Sequence, residues 1–426
     1  MYRESQICKA YKCILIKEII PAMGCTEPIA IAYAAAKMKE LLGIEPEKVT
    51  IKVSNNIIKN VKSVNIPNTN GLTGIKAAVA AGIKEGHAYR QLQVLSEISE
   101  DGEKNIYNYM KTHDIEILPS ETEEVFEIDI FGEAGKNNAE VRIVKEHTNI
   151  VYMCKNGKVI YNSVGECNSK NGEELYNLLC VDHIIQFALE EDLTEVEKLI
   201  WKQAECNFKI ACEGIQGNYG ANIGKTILKY GKDDVRTLAK AMAAAGSDAR
   251  MAGCEMPVMI VGGSGNQGIT ATVPILVFAK YRGYEKHNIL RALVLSDLLT
   301  IYQRFLIGRL SAYCGAVNAG SSAAAGIAFL EGGSKEQIED TFLNALAAVS
   351  GIVCDGAKAS CAAKIAAAVE AGLLGYDMSR EKMRFQQGEG IVGKTAEETV
   401  KNVGILGKEG MRATDKKIIE IMVKDL

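Results

Sequence analysis

Three cysteines in the second half of the chain stand among small residues. Cys314 lies in LSAYCGAVNAG, and Cys354 and Cys361 lie in GIVCDGAKASCAAK. Glycine, alanine and serine let the backbone approach a bulky inorganic cluster and donate N–H groups to its sulfides. A fully ligated 4Fe-4S cluster takes four cysteines. Three therefore predict one cluster per chain with an open iron that can act as a Lewis acid.

The separation of Cys354 and Cys361 leaves other interpretations open. Seven residues are two helical turns, roughly 10 Å along a helix axis, which is long for one cluster unless a loop intervenes. On spacing alone, two apolar residues on one helix face are favoured. Asp355-Gly356 resembles an N-cap, which would place the pair at a helix N-terminus that favours an anionic cluster. Zinc with three thiolates and a water is a further alternative, although the close cysteine pairs typical of zinc sites are absent.

Cys25 lies in PAMGCTEPIAIAYAAA, where an alanine-rich helix is predicted to begin. The helix dipole and free N–H groups at such a position lower the pKa of a thiol, which makes Cys25 a candidate base. Thr26 and Glu27 follow it and are candidate substrate contacts. The residues support an alternative about equally, in which Thr26 caps the helix, Pro28 occupies its first turn and Cys25 only packs.

A glycine-rich turn within residues 261–276, VGGSGNQGITATVPIL, joins two apolar segments. Backbone N–H groups of such a turn, ahead of a helix, suit a carboxylate or a phosphate. The spacing GxxxxGK[ST] of a phosphate-binding loop is absent, so a tight turn between buried segments is the alternative. A weaker polar turn is IPNTNGLTG. The candidate substrate-binding residues of the two turns are Asn68, Ser264, Gly265, Asn266, Gln267 and Gly268.

Helical and strand-like patterns divide the chain into three predicted domains. Residues 1–44 form helices interrupted by PAMGCTEP, and residues 169–426 form a helical domain with the cluster cysteines. Residues 45–168 form a domain with alternating residues over 48–67, a short helix at IKAAVAAGI and antiparallel strands over 124–163. The predicted fold class is α+β, a predominantly helical body with a smaller antiparallel-sheet α/β domain inserted. The N-terminal helices are expected to pack back onto the body.

The composition is that of an ordinary globular protein. The 426 residues carry 49 Lys and Arg against 53 Asp and Glu, without the basic stripe that nucleic-acid binding requires. Twelve cysteines are too few for a disulfide framework in a chain of this length. The N-terminal segment does not resemble a signal peptide, so a cytoplasmic location is expected. Segments 256–279 and 310–330 lack charges, but their glycines and small polar residues favour packed interior helices over membrane spans.

With these segments assembled, the sequence resembles the L-cysteine desulfidase family, distant relatives of the iron-sulfur L-serine dehydratases. The likeness covers nearly the whole chain and rests on PAMGCTEP, DARMAGCEMPVM leading into GGSGNQG, GRLSAYCGA and CDGAKASC, in this order. The resemblance implies that Cys314, Cys354 and Cys361 hold the cluster and that Cys25 accepts a proton. It also implies the conversion of L-cysteine and water into hydrogen sulfide, ammonia and pyruvate.

Other functions stay open at the level of sequence. An iron-sulfur L-serine or L-threonine dehydratase would perform the same elimination with hydroxide as leaving group. The segment GCTEP, in place of the dehydratases' serine-histidine-threonine pattern, favours the desulfidase. A cluster-based sensor or structural protein would carry a DNA-binding module or a partner-binding tail, and neither is recognisable. The expected partner is a small-molecule amino acid, with no nucleic acid and no membrane, and the Ala/Gly-rich helices are candidates for a homodimer interface.

Overall fold

The protein combines a large helical body with two sheets. The computed structural model describes residues 2–122, 124–164, 174–308 and 310–423. About 60% of the chain is helical, and the strands form one six-stranded mixed sheet and one two-stranded sheet. The predicted α+β class with a helical body is confirmed.

The larger sheet is built from a strand pair and an antiparallel meander. Its strands are β2 (Lys48–Val53), β3 (Asp114–Pro119), β4 (Glu127–Ala134), β5 (Asn137–Val144), β6 (Ile150–Lys155) and β7 (Lys158–Asn162). They are arranged in the order β3-β2-β4-β5-β6-β7; β2 and β3 are parallel and all other neighbours are antiparallel. Asn156 and Gly157 take positive φ angles of 52° and 75°, which suit the two-residue turn between β6 and β7. The antiparallel strands predicted over 124–163 are confirmed.

The strand-like segment that begins at residue 48 is shorter than predicted. Strand β2 ends at Val53, and helix α3 (Asn55–Val61) follows it. Ile57 and Val61 are four residues apart and both buried, which is the spacing of one helix face. The strand prediction over 48–67 is therefore wrong within α3, because a short apolar run is compatible with either period.

Helices rich in small and apolar residues fill the centre of the body. The remaining helices are α1 (Tyr2–Glu18), α2 (Thr26–Leu42), α4 (Gly74–Glu85), α5 (Gly102–Thr112), α6 (Val181–Glu190), α7 (Thr194–Gln216), α8 (Ile223–Tyr230), α9 (Val235–Met251), α10 (Gly265–Arg282), α11 (Lys286–Ile307), α12 (Gly315–Leu330), α13 (Lys335–Ala348), α14 (Cys361–Arg380), α15 (Ala396–Ile405) and α16 (Arg412–Val423), with a 3-10 turn (Ala88–Gln93) and a π-helical turn (Leu406–Gly410). Helices α9, α10, α12 and α14 pack against one another. Helices α7, α11 and α13 pack around them. None of the described helices is both long and apolar enough to cross a membrane.

Small residues let α12 and α14 approach closely. A Cβ atom on Gly320 would lie 2.7 Å from the Ala368 carbonyl carbon, and one on Gly372 would lie 2.6 Å from the Gly320 oxygen. Gly372 also contacts Ala324, so residue numbers rise together along the two helices. The helices therefore run in the same direction, and their N-termini lie at the same end of the body.

The N-terminal elements are divided between the body and the sheet. Helix α1 packs against α7 and α11, whereas α2 packs against α4 and against strands β4 and β5. Between them, strand β1 (Ile20–Met23) pairs antiparallel with β8 (Pro257–Ile260). The expectation that both helices pack onto the body is therefore not met by α2, whose residues 26–36 are all buried and whose small side chains allow close packing on the sheet. The division into three domains stays a prediction.

Asp297 on α11 is a fully buried acid in the helical body. Gln203 Nε2 on α7 donates to Asp297 Oδ1 at 2.9 Å, while Asp297 Oδ2 and Gln203 Oε1 have no partner among the described residues. Burial raises the pKa of Asp297 to about 8, although the hydrogen bond from Gln203 opposes this. At neutral pH the side chain is therefore mainly a neutral acid.

We expect Asp297→Asn to reduce the pH dependence of stability. Folded wild-type protein keeps the Asp297 proton to about pH 8, whereas the unfolded chain releases it near the ordinary pKa of 3.8. The wild-type free energy of unfolding should therefore fall as pH rises through this interval. The variant should lack this fall, which amounts to on the order of 5 kcal/mol between pH 4 and pH 8 for a pKa shift of this size. Urea unfolding at several pH values measures this, with the exposed Asp233→Asn as control; parallel curves for Asp297→Asn and wild type would contradict it.

Candidate active site

The β1–β8 pair brings the Cys25 segment beside the glycine-rich turn. Strand β1 continues through Gly24 into Cys25 and α2, and β8 continues into the turn before α10. The Thr26 hydroxyl oxygen lies 3.3 Å from the Gly263 carbonyl oxygen. Two segments that are 237 positions apart in the chain therefore line one site.

Cys25 occupies the N-cap position of α2 and contacts a buried carboxylate. The Cys25 thiol donates to Glu27 Oε2 at 3.1 Å, and the Thr26 hydroxyl donates to the same oxygen at 3.0 Å. Asn60 Nδ2 on α3 donates to Glu27 Oε1 at 3.1 Å. Three donors from two elements thus hold one carboxylate against the thiol.

The proton of this pair resides on sulfur. Burial raises the pKa of the Cys25 thiol well above its ordinary value, and the Glu27 charge raises it further, while Arg250 opposes both effects. Burial also raises the pKa of Glu27, but the positive charge of His147 and the Cys25 hydrogen bond outweigh burial and lower it. The expected low pKa of Cys25 is therefore wrong, because burial and the adjacent carboxylate outweigh the helix N-terminus.

The three candidate cluster cysteines lie where α12 and α14 begin. Cys314 is the N-cap residue of α12, and Cys361 is the first residue of α14. Cys354 lies in the segment before α14; its N–H donates to Ala312 O at 2.6 Å, and the Cys314 N–H donates to Ile352 O at 2.8 Å. The thiols of Cys314 and Cys354 share a hydrogen bond, and the charge of Cys354 acts on Cys361.

A loop separates Cys354 from Cys361. Because α14 begins at Cys361, the interpretation that both cysteines lie on one helix face is wrong. The expected N-cap at Asp355-Gly356 is also wrong, since Ser360 precedes the helix and Asp355 forms ion pairs with Lys358 and Lys364. The loop allows the two thiols to approach the same volume without the limit that helix geometry would set.

Positive charges surround the thiols of the candidate cluster site. The hydrogen bond from Cys314 lowers the pKa of Cys354; burial opposes this, and the charges of Lys59 and Lys364 add to the lowering. The pKa of Cys314, which gives that hydrogen bond, is raised. The Lys59 side chain is 1% exposed and pairs with Asp415 on α16 at 2.5 Å. Two lysines and two helix N-termini therefore favour negative charge at this end of the body.

The donor set fits an iron-sulfur cluster better than a single metal ion. Three thiols on separate segments provide soft ligands, as such clusters require. Within the described ranges, no three His, Cys, Asp or Glu side chains converge closely enough to hold one ion, which does not favour the zinc alternative. Each thiolate of a cluster binds a different iron, so the ligands of a cluster lie further apart than those of one ion.

The candidate base and a candidate cluster ligand belong to one packed group. Cys25 belongs to a small buried group with Val64 and Met251, and Ala357 and Cys361 pack against that group. The fold therefore joins the start of α2, the loop after α3, the end of α9 and the start of α14 at one place.

The glycine-rich turn begins helix α10, as predicted. Ser264 is the N-cap residue, and its hydroxyl accepts a hydrogen bond from the Gln267 backbone N–H at 3.5 Å. Gly262 and Gly263 take φ angles of 57° and 82°, which glycine adopts without strain. A Cβ atom on Gly268 would lie 2.1 Å from the Met259 oxygen, so this glycine lets α10 pack directly on β8.

The two amides of the turn have different surroundings. Gln267 Nε2 donates to Val261 O at 3.1 Å and to Gly262 O at 3.4 Å, and Gln267 Oε1 accepts from Asn318 at 3.5 Å. Asn266 Oδ1 is buried and has no partner among the described residues. The substrate-binding roles of both stay predictions; the geometry leaves Asn266 an available acceptor and uses Gln267 to hold the turn.

Asn68 lies beside the end of β1. Its Nδ2 donates to Leu95 O at 2.6 Å and contacts Met23 Sδ at 3.6 Å, and its Oδ1 has no described partner. Its φ angle of 61° is in the left-handed region, which asparagine tolerates better than most residues. Its substrate-binding role also stays a prediction.

A cavity of about 1190 Å³ approaches the site between the sheet and the helical body. Arg142 and Val144 line it from β5, and Arg304 lines it from α11. It reaches Gly262 of the turn and Ala312 near Cys314. Its lining includes neither Cys25 nor any of the three candidate cluster cysteines, so it adjoins the site and is not itself the substrate pocket.

Three polar residues of the site were not among the sequence candidates. Lys59 and Asn60 lie in α3, in a segment that the alternating pattern assigned to a strand. Arg250 lies in DARMAGCEMPVM, and its Nε donates to the Gly24 carbonyl at 3.1 Å. The composition of that motif was the available signal, because an arginine and an aspartate within an alanine-rich helix require partners when they are buried.

Comparison with known proteins connects this geometry to a family. The model described as serine dehydratase alpha chain matches residues 89–420. The chain belongs to the serine dehydratase alpha chain family. Among its relatives are proteins named UPF0597 from Desulfitobacterium hafniense, 49% identical over 99% of this chain and 98% of the relative, and Lachnoclostridium phytofermentans, 46% identical over 96% and 98%. A third, from Finegoldia magna, is 44% identical over 98% of this chain and 100% of its own length.

Membership of the serine dehydratase alpha chain family gives the chain an enzyme class. The family indicates a serine dehydratase-like enzyme of the lyase type, and its serine dehydratases depend on an iron-sulfur centre. The matched range includes the three candidate cluster cysteines and the glycine-rich turn, whereas Cys25 and Asn68 precede it.

Proposed function

We propose that this protein is an L-cysteine desulfidase, which converts L-cysteine and water into hydrogen sulfide, ammonia and pyruvate. The observation that carries the proposal is that Cys361, at the candidate cluster site, packs against the small buried group that contains Cys25, whose thiol is bonded to Glu27. A base for the α-proton and a centre that accepts the leaving sulfur must lie on either side of one small substrate in a β-elimination. The family supports an iron-sulfur elimination of this type, and the segment GCTEP favours the desulfidase.

Cys314, Cys354 and Cys361 would hold one 4Fe-4S cluster per chain. When bound, the cluster supplies a Lewis-acidic iron without a cysteine ligand, which stabilises negative charge on the departing sulfur. The protein's own contribution is electrostatic: Lys59 and Lys364 balance the charge of the three thiolates. The ion pair of Lys59 with Asp415 fixes one of these charges and ties α16 to α3.

Cys25 is the proposed base. Its own proton first moves to Glu27 Oε2, 3.1 Å away, and Thr26 and Asn60 hold this carboxylate in position. The directions of both pKa shifts oppose this transfer, so the thiolate exists only briefly. The Cys25 sulfur then takes the α-proton of the substrate while the substrate Cβ–S bond breaks. Hydrosulfide leaves and takes up the proton held by Glu27 as hydrogen sulfide, which returns Cys25 and Glu27 to their starting states. The aminoacrylate that remains becomes an imine, which water hydrolyses to pyruvate and ammonia.

An iron-sulfur L-serine dehydratase is the second candidate, because the matched family model carries that description. The two functions share the base and the cluster and differ in the leaving group. Anaerobic purification and reconstitution, followed by parallel assays of sulfide and pyruvate from L-cysteine and of pyruvate from L-serine, separates them. The desulfidase is expected to show the higher kcat/KM with L-cysteine. A higher value with L-serine would replace our proposal with the second candidate.

We also propose a homodimer in the cytoplasm. The basis is the abundance of alanine and glycine in the helices, which suits close packing between subunits. Light scattering on the reconstituted protein tests the oligomeric state, and a monomer at micromolar concentration would contradict it.

A further inference from the structure

Arg250, in the last turn of α9, is a buried arginine with only one of its three nitrogens in a hydrogen bond to a described residue. The residue is 3% exposed, and its Nε donates to the Gly24 carbonyl at 3.1 Å. Its two terminal nitrogens have no hydrogen bond or ion pair with any residue that the structure describes. The Glu27 carboxylate is near enough to interact electrostatically with Arg250 but forms no ion pair with it. Burying guanidinium donors without hydrogen-bond partners is costly, so an anion at this position would satisfy them.

Two other arginines of the protein have structural roles and can be compared with Arg250. Arg291 bonds through all three nitrogens, to His287, to the Ala188 carbonyl and to the Glu191 carbonyl. Arg142 forms an ion pair with Glu127. Arg250 differs from both, since the two parallel donors that match a carboxylate are left available.

The surroundings of Arg250 form one end of a pocket for an amino acid. A Cβ atom on Gly265 would lie 2.4 Å from Arg250 Nε and 2.8 Å from its Cζ, so glycine is required for the guanidinium to lie against the start of α10. The first N–H groups of this 18-residue helix and its dipole also favour an anion. The buried, unpartnered Asn266 Oδ1 adds an acceptor in the same turn.

The position of Arg250 relative to Cys25 suits an α-amino acid as substrate. Arg250 bonds the carbonyl of Gly24, the residue directly before Cys25. The proton that Cys25 is proposed to remove lies on the carbon that also carries the carboxylate. A carboxylate anchor must therefore lie next to the base, where Arg250 is.

We propose that Arg250 binds the α-carboxylate of the substrate through its two terminal nitrogens, with Asn266 Oδ1 accepting a hydrogen bond from the α-ammonium group. This inference rests on the proposed function for the identity of the site as an amino-acid elimination site. It extends that function by giving the ligand class, which is an α-amino acid with a free carboxylate. Methyl esters and amides of the same amino acids lose the charge that Arg250 recognises.

The test uses L-alanine, which has no leaving group and is therefore bound without being eliminated. Calorimetric titration of the reconstituted protein compares L-alanine with its methyl ester. Wild-type protein should prefer the free acid by roughly 10- to 100-fold, the range for hydrogen bonds to a charged group. Arg250→Gln should reduce this preference to about 1-fold. Arg250→Lys keeps the charge without the two parallel donors and should give an intermediate value.

The control is Arg291→Lys, which removes a structural guanidinium elsewhere and should keep the wild-type preference. Arg250→Gln and Arg250→Lys that both keep the full preference would overturn the proposal, as would a wild-type protein that binds acid and ester equally. If L-serine proves to be the better substrate, the desulfidase assignment fails while this result stands, because both substrates carry the same carboxylate.

Discussion

Cys25→Ala should lower kcat for L-cysteine by roughly 100- to 10,000-fold, the range that general-base catalysis contributes. The thiol is buried and bonded to Glu27 at 3.1 Å, so its removal leaves no group in the same place to take the α-proton. Iron and acid-labile sulfide content should stay at the wild-type value, because Cys25 is not one of the proposed ligands. Steady-state sulfide release and metal analysis on the same preparation measure both.

Cys212→Ala is the matched control for the Cys25 variant. Cys212 is a half-buried cysteine on α7, and burial raises the pKa of its thiol as well. Its replacement should leave turnover unchanged, which separates the loss of a base from the general effect of deleting a thiol. Substantial sulfide release by Cys25→Ala with an intact cluster would contradict the assigned role. Glu27→Gln should give a smaller loss, because the base remains and only the acceptor of its proton is changed.

Features that depend on neighbours in the chain were predictable. The meander over 124–163 follows from alternating residues and from two-residue turns such as Asn156-Gly157, which set register locally. The start of α2 near Cys25 follows from the early Pro28. The alternative in which Thr26 caps the helix is wrong, because Cys25 is the N-cap residue and the Thr26 hydroxyl bonds Glu27. The charge-free segments form buried helices over residues 265–279 and 315–330, where glycines permit contacts such as that of Gly320 with Ala368. The prediction of a helix is wrong for residues 257–260, which form β8.

Features that depend on distant partners were not predictable in the same way. The pairing of β1 with β8 joins segments more than 230 positions apart, and no local pattern specifies it. Burial and the Glu27 carboxylate, which Asn60 of α3 holds in place, raise the pKa of Cys25. The local helix N-terminus alone predicted a lowered pKa, which is the wrong direction. Arg250 is recognisable as part of the site only after Gly24 and Gly265 are placed beside it.

For the proposed cluster ligands, the fold resolves a question that the sequence leaves open. Small neighbours marked all three cysteines, but a separation of seven residues favoured a shared helix face. The fold removes that difficulty by beginning α14 at Cys361 and by pairing the segment of Cys354 with that of Cys314. Cys354 lies at the centre of this arrangement, since it bonds to Cys314 and acts electrostatically on Cys361.

Cys354→Ser should therefore abolish both the brown chromophore and turnover. Serine lacks the soft thiolate, and Lys59 and Lys364 would be left facing a neutral hydroxyl. Changing a residue that only hydrogen-bonds to a metal ligand costs roughly 10- to 100-fold in metal affinity, so loss of a ligand itself should cost more. Iron and sulfide analysis after reconstitution measures the cluster, and thermal unfolding checks the fold. Cys206→Ser, on α7, is the control that should keep cluster and activity. Full activity of Cys354→Ser after loss of iron would refute the proposed chemistry, because no group would remain to accept the departing sulfur.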